Sequence, residues 1–241
     1  MPVQSGHMAG FETLLHLLEF CLKFGVKQVT VYAFSQDNFS RPKEEVDSLM
    51  LLALEKFEDF VKHESMVMRE RVRVRVVCTN PGLLSKELRL ACHRVESSTA
   101  ENSGALLNIC FSYSGAAELS QAVYLISQAV ATGEISAADV SETLISRVTA
   151  LSTGAPDLVV RTSGESRLSD FLLWHVSASQ IFVLSVLWPD ISIFIVWCVL
   201  VVSFKRRVVG CSSSLLVPSQ SDRAEAFVQR VHTQRLNAWL Q

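Results

Sequence analysis

The sequence carries no surplus of charge of either sign. Its 22 Lys and Arg stand against 24 Asp and Glu, a formal charge of −2, which argues against a general nucleic-acid binder. The cysteines (Cys21, Cys78, Cys92, Cys110, Cys198, Cys211) form no CxxC pair and show no metal-ligand spacing. Scattered among apolar neighbours, they read as buried thiols of a reducing compartment. No internal repeat is present, and the N-terminus lacks the basic segment and apolar core of a signal peptide. An almost wholly apolar run from Ile191 to Phe204 precedes Lys205-Arg206-Arg207. It is shorter than the ~20 residues that cross a bilayer, and Pro189 and Asp190 block its extension upstream.

What the sequence does hold is apolar material: 49% of 241 residues are hydrophobic, enough to build a sizeable core in one domain, or in one domain with a tail. The pattern alternates helix and strand. Phe11, Leu14, Leu15, Leu18, Cys21 and Leu22 share one helical face, and Gly25 stands where a helix C′ residue belongs. Val29 to Phe34 is a β-branched and aromatic strand, followed by an amphipathic helix over about 43–64. Arg71 to Cys78 alternates strictly, predicting a strand with one solvated arginine face. Ser85 can cap a helix to about Ser97. Ala105 to Phe111 is a further strand, followed by a helix over about 117–131 and another from Ser136, in a capping-box pattern, to about Val148. Asp157 to Val160 and Ile181 to Asp190 read as strands, and Asp222 to Gln241 as an amphipathic helix. This order predicts an α/β fold with an open, mostly parallel sheet flanked by helices.

The densest chemistry lies in Arg161-Thr162-Ser163-Gly164-Glu165-Ser166-Arg167-Leu168-Ser169-Asp170-Phe171-Leu172-Leu173-Trp174, a Gly-containing turn after a buried strand, running into an apolar stretch that can open a helix. Ligands of open α/β sheets bind at the C-terminal ends of strands. Arginine forks, serine hydroxyls and turn N–H groups there match a phosphate or diphosphate. The competing reading is a solvated turn with surface arginines. A second strand end carries Ser35-Gln36-Asp37-Asn38-Phe39-Ser40-Arg41-Pro42. It also reads as a plain helix start, with Ser40 as a cap, Pro42 in the first turn and Glu44 and Glu45 near the positive helix end. His7, in Gly6-His7-Met8-Ala9-Gly10, reads by itself as an N-terminal loop residue.

The run RTSGExRLSDFLLW resembles the signature of the cis-prenyltransferases, the undecaprenyl and dehydrodolichyl diphosphate synthase family. GHxxGF (Gly6 to Phe11), YAFSxxNFxRP (Tyr32 to Pro42), the segment from Leu107 through Gly115 and Glu118, and LWPD (Leu187 to Asp190) resemble it too. The resemblance covers roughly residues 6–190. It implies head-to-tail condensation of isopentenyl diphosphate onto an allylic primer, farnesyl diphosphate, toward dolichol, with Mg²⁺ as cofactor. It places Arg161, Arg167 and Ser169 on the isopentenyl headgroup, and His7 and Arg41 near the diphosphates. Phe34, Ser35 and Asn38 would lie at the reaction site. It further implies a homodimer, or a heteromer with a related membrane-anchored subunit, at the cytoplasmic face of the endoplasmic reticulum, with peripheral membrane contact and no nucleic acid.

Departures from the family pattern carry expectations of their own. His175 stands where Gln is usual and Ala116 where Arg is common. Gln180 occupies the position of a metal-binding Glu in bacterial members; an amide is a weaker Mg²⁺ ligand than a carboxylate. The family's MDGNxR motif, with its metal-binding Asp, is not found, so the first strand is expected to be missing, the metal residues to be none, and activity to be impaired. The likeness stops at Ile191. The expected organisation is therefore a truncated transferase domain over 1–190, a divergent apolar segment and linker over 191–220, and a C-terminal helix over 221–241. Two other classes remain open: a non-catalytic binding or regulatory subunit, and a membrane-associated interaction protein built around 181–204.

Overall fold

A computed structural model describes residues 3–151, 154–209 and 221–240. They fall into two compact units, each assembled from two stretches of chain: residues 27–154 with 219–241, and residues 1–26 with 155–218. The expected divisions at 190 and 220 are not the boundaries of these units. Those divisions followed likeness to a family, whereas packing returns the C-terminal helix to the body of the chain.

The larger unit is built on three parallel strands in the order β1-β3-β2: β1 (Gln28–Ser35), β2 (Arg73–Val77) and β3 (Leu106–Tyr113). The central strand β3 is the most apolar, Leu-Leu-Asn-Ile-Cys-Phe-Ser-Tyr, and from Leu107 to Tyr113 it is buried, as strands covered on both faces are. Helices α2 (Lys43–Phe60), α4 (Lys86–Ser98), α5 (Gly115–Ala131), α6 (Glu142–Val148) and α8 (Asp222–Asn237) belong to this unit, with a single turn, α3 (Met66–Arg69). Serines do the capping: the Oγ atoms of Ser85, Ser114, Ser141 and Ser221 each accept a backbone N–H from the first turn they precede.

Several boundaries differ from expectation for local reasons. The helix predicted over 43–64 stops at Phe60, and a Ser65-capped turn follows. Ser40 does not cap α2; its hydroxyl donates to the Asp37 carbonyl at 2.6 Å, and Pro42 takes the cap position. The capping box at Ser136 closes through Asp139 Oδ2, at 2.8 Å from the Ser136 N–H, but it opens only a 3₁₀ turn; the helix itself begins at Glu142. In β2, Arg73 is exposed as expected, but Arg75 is not on a solvated face. Its guanidinium donates to the carbonyls of Ala150 at 2.9 Å and Leu151 at 3.4 Å, and burial lowers its pKa. Alternation placed the residue correctly but could not reveal that a loop lies over it.

Core side chains from α5, α6 and α8 meet: Ala122, Ile126, Leu144, Val148, Phe227, Val228 and Val231 are all buried. Arg147 and Glu225 join α6 to α8 through a two-pronged ion pair at 2.7 and 2.8 Å, and Trp239 Nε1 donates to Glu96 Oε2 at 2.7 Å. The outward edge of β2 is occupied by side chains: Thr99 Oγ1 accepts from the Val74 N–H at 3.0 Å and Glu96 Oε1 from the Val76 N–H at 2.8 Å.

The smaller unit contains α1 (Val3–Lys23), a two-stranded parallel ladder of β4 (Leu158–Arg161) and β5 (Gln180–Val183), and α7 (Ile193–Val209). The helix predicted from Phe11 starts at Val3, so the glycine-flanked segment around His7 is helical rather than a loop. Its end is as expected: Gly25 adopts φ +86°, and the N–H groups of Gly25 and Val26 return to Leu22 and Cys21. The strand expected over 181–190 is confined to Gln180–Val183, and Trp188–Asp190 form a 3₁₀ turn. Trp188 Nε1 donates to the Gly10 carbonyl at 2.9 Å and Thr13 Oγ1 to the Pro189 carbonyl at 3.1 Å, seating α1 on this turn.

Among the described residues, every strand pairing is parallel, as the α/β reading required. No helix among them is long and apolar enough to cross a membrane. Five cysteines are free thiols; burial pushes Cys21 up to about 11, Cys78 up to about 12, and Cys92 and Cys110 further still. Cys211 lies outside the described residues.

Candidate active site

In the larger unit the predicted site residues lie where β1 ends. The β1–β3 register slips between Tyr32 and Phe34 and again before Ser35, an irregularity that re-aims the last side chains of the strand. Ser35 then caps the 3₁₀ turn Gln36–Ser40. Its Oγ accepts from the Asn38 N–H at 3.2 Å, while its own N–H donates to Asn38 Oδ1 at 3.0 Å. Ser35 and Asn38 are therefore joined as one reciprocal box. Arg41 follows at the end of the turn and pairs with Glu45 at 2.8 Å, its side chain 41% exposed. Phe34 is 4% exposed and sits among Phe39 and Phe111 at ring-centroid distances of 4.9 and 5.6 Å. Its position is that of a core residue beneath the turn, and it supports Ser35 from below.

Sequence reasoning missed Thr79. This buried residue ends the segment after β2 and ties the C-terminal ends of all three strands together. Its Oγ1 accepts from Gln36 Nε2 at 2.9 Å and from the Ser114 N–H at 3.0 Å, and can donate to the Ser112 carbonyl at 3.2 Å. Its carbonyl accepts from Gln121 Nε2 at 2.6 Å. The available signal was a hydroxyl at a strand end directly before the turn Asn80-Pro81-Gly82. Glu118 has a similar anchoring role. Its carboxylate, 1% exposed, takes Tyr113 Oη on one oxygen at 2.5 Å and the Leu151 N–H on the other at 2.8 Å.

In the smaller unit, Arg161 is the last residue of β4. One terminal nitrogen, Nη2, lies 3.4 Å from Ser169 Oγ, while its Nε is buried with no hydrogen-bond partner. The loop between is held by Ser163 N–H to the Val186 carbonyl and Gly164 N–H to the Leu184 carbonyl, both at 2.8 Å. It is also unusually bent. Ser163, Ser169, Asp170 and Leu172 are non-glycine residues at φ between 49° and 68°. Such φ values cost energy and cluster at sites where geometry serves function. They also explain why the apolar stretch after the turn does not open a helix; only a 3₁₀ turn forms, at His175–Ala178. Arg167 is not drawn to Arg161: it is 67% exposed and pairs with Glu165. Of the three residues expected on one headgroup, two are together. His7 lies in α1, and its side chain lies outside the described residues.

The two groups of residues belong to different units: an arginine–serine pair at the end of β4, and a capped turn with an adjoining arginine at the end of β1. What the first can do is bind an anion. A buried guanidinium N–H without an acceptor is costly, and a phosphate oxygen satisfies it.

A family model described as undecaprenyl diphosphate synthase matches residues 1–209. The chain belongs to that family, the cis-prenyltransferases. It is 39% identical over 188 residues to the human dehydrodolichyl diphosphate synthase complex subunit DHDDS, covering 78% of this chain and 56% of that protein. It is 36% identical over 229 residues to dehydrodolichyl diphosphate synthase 6 of Arabidopsis thaliana, covering 84% of this chain and 75% of that one. Thus the chain spans little more than half the length of the human relative. Among solved structures, lavandulyl diphosphate synthase from Lavandula x intermedia, in complex with dimethylallyl diphosphate, superposes with a TM-score of 0.78 at 25% identity, covering 84% of this chain and 86% of that one.

The family implies Mg²⁺. Among the described residues no group of three or more His, Cys, Asp or Glu side chains could hold a metal ion. Gln180 does not supply one either: it opens β5, and its Nε2 donates to the Ser203 carbonyl of α7 at 3.3 Å. The described side chains thus form no ready-made cage for the ion, and no step is assigned to it.

Proposed function

We propose that this chain is the catalytic type of subunit in a dehydrodolichyl diphosphate synthase. It joins isopentenyl diphosphate to an allylic diphosphate, farnesyl diphosphate, to build a cis-polyprenyl diphosphate for dolichol. In that condensation the isopentenyl double bond attacks the allylic carbon bearing the diphosphate. The diphosphate leaves with the bonding pair, and a proton is lost to restore a double bond. The observation that carries the reading is the Arg161–Ser169 pair with its unpaired buried Nε, at a strand end in a member of this family. Arg161 and Ser169 take the isopentenyl headgroup, and Arg167 leaves Glu165 to join them. Ser35 and Asn38 shape the reaction site above Phe34, and Arg41 and His7 assist the diphosphates. The partner is a second copy or a related membrane-anchored subunit, at the cytoplasmic face of the endoplasmic reticulum.

A second reading, a binding subunit without chemistry, draws on the lack of a metal-holding group among the described residues. The two part in one experiment. Isopentenyl diphosphate binding is measured by calorimetry, and label incorporation into polyprenyl product is measured with farnesyl diphosphate and Mg²⁺. Arg161→Ala is expected to weaken binding about tenfold to a hundredfold. Unchanged affinity in Arg161→Ala sinks the headgroup assignment. Binding without incorporation by the wild-type chain selects the second reading.

A further inference from the structure

The least protein-like surface of the smaller unit is the outer side of α7. Val199 and Ser203 are buried, and Gln180 Nε2 holds the Ser203 carbonyl, so this side of the helix is the one turned inward. On the other side Ile193, Phe194, Trp197 and Phe204 are 46%, 68%, 43% and 69% exposed. Ile193, Trp197 and Phe204 recur at the i, i+4, i+11 spacing of a single stripe, and Phe194 stacks on Trp197 with ring centroids 5.9 Å apart. A monomer does not ordinarily leave such a row of aromatic and branched side chains in water.

The charge pattern selects the occupant. The sequence of α7, Ile193–Val209, has no acidic residue, and its only charges are Lys205, Arg206 and Arg207 near its C-terminal end. A protein groove would not require this pairing of aromatic stripe and cationic end, whereas a bilayer interface with anionic headgroups fits both: aromatic rings sit at the acyl boundary, and basic side chains meet lipid phosphates. Length settles how the helix meets lipid. Its 17 residues extend about 25 Å, less than the ~30 Å hydrocarbon layer, so it lies in the interface instead of crossing it.

We infer that α7 is an in-plane membrane anchor: its Ile193–Trp197–Phe204 stripe enters the surface of an anionic bilayer while the exposed Lys205, at its basic end, pairs with lipid headgroups. This holds whether or not the chain turns over isopentenyl units, because none of these residues is assigned to substrate. It supplies a direct lipid contact, separate from any anchor on a partner subunit.

The test is flotation of the full purified chain with vesicles of phosphatidylcholine alone and of phosphatidylcholine with about 30% phosphatidylserine. The chain is expected to float with the anionic vesicles and to be released as salt rises. The double variant Trp197→Ser/Phe204→Ser, both positions exposed, is expected to bind at least about tenfold more weakly. Lys205→Glu is expected to remove the preference for anionic lipid. Circular dichroism and isopentenyl diphosphate affinity serve as controls, and both are expected to match the wild type. Failure of the wild type to float, equal flotation with both vesicle types, or flotation that survives the double variant overturns the inference. So does a wild-type dimer, seen by light scattering without lipid, that the double variant dissolves while vesicles capture neither; the stripe would then be a protein interface. Loss of isopentenyl diphosphate binding in Arg161→Ala leaves flotation unaffected, so the two readings fail separately.

Discussion

Single side chains at the strand ends divide into those that build the site and those that can meet substrate. Glu118 belongs to the first group: its carboxylate joins the end of β3, through Tyr113, to the backbone at Leu151, on the far side of α5 and α6 in sequence. Replacing it with Ala removes the partner of a buried hydroxyl and of a buried N–H at one stroke. Glu118→Ala is expected to destabilise the chain by about 2–4 kcal/mol, read as a lower urea midpoint with an unchanged slope. A midpoint equal to wild type contradicts the anchoring role. The sequence pattern named Glu118 only as a match to a motif; its bond to Leu151 spans a sequence separation of 33, beyond the reach of any local reading. Thr79 went unnoticed for the same reason, since its bonds are to residues 33 to 43 positions away. Arg161 and Ser169 were legible because they lie eight residues apart on one loop. The sequence also grouped Arg167 with them, yet proximity in sequence gave no sign that a neighbouring carboxylate, Glu165, takes that guanidinium first.

At the scale of elements, periodicity located every described strand and each long helix except α7, whose almost wholly apolar run shows no period, while turn chemistry decided their ends. Gly25 and the serine caps were readable because each satisfies a local rule. The bent loop from Ser163 to Leu172 was not, because four of its positive φ values fall on residues other than glycine, and its start is held by the distant carbonyls of Val186 and Leu184. The docking of α1 on the Trp188–Asp190 turn joins elements 176–178 residues apart and gives Gly10 a structural duty. A Cβ at Gly10 would lie 3.1 Å from Trp188 Cδ1, closer than ordinary contact, so a larger branch there must push the indole from the Gly10 carbonyl. Gly10→Leu is expected to cost about 1–3 kcal/mol and to make the environment of Trp188 more solvent-like, seen as a red shift in tryptophan emission. An unshifted spectrum with full stability refutes the close packing. Thus one glycine of the motif around His7 has a packing reason independent of any substrate.

At the scale of the molecule, α8 packs on α5 and α6 chiefly through a buried apolar cluster, and the partly exposed pair Arg147–Glu225 adds an ion pair to α6. Arg147, then Gln229, hold the Glu225 carboxyl down to about 2, against an ordinary value of 4.5. Its folded-state pKa is lowered, so the stabilisation is present above about pH 4.5 and is lost as pH falls toward 2. Acid titration is therefore expected to loosen α8 within that window, with amide hydrogen exchange rising first in residues 222–237. Glu225→Gln is expected to weaken this dependence. A pH profile identical in wild type and Glu225→Gln removes the pair from the account. The α/β class and parallel sheet were readable at this scale; the assignment of the last helix to the larger unit was not, since its amphipathic face names no partner.

The division of the chain also fixes an order of events during synthesis. The units are interleaved in sequence, with residues 27–154 grouped with 219–241, and 1–26 with 155–218. A ribosome making the chain at about 5–20 residues per second finishes α5 and α6 several seconds before α8. Throughout that interval Ala122, Ile126, Leu144 and Val148 have no Phe227 or Val231 to meet. The nascent chain is then a client for holdase chaperones, and a premature stop after Val209 would leave that apolar face permanently bare.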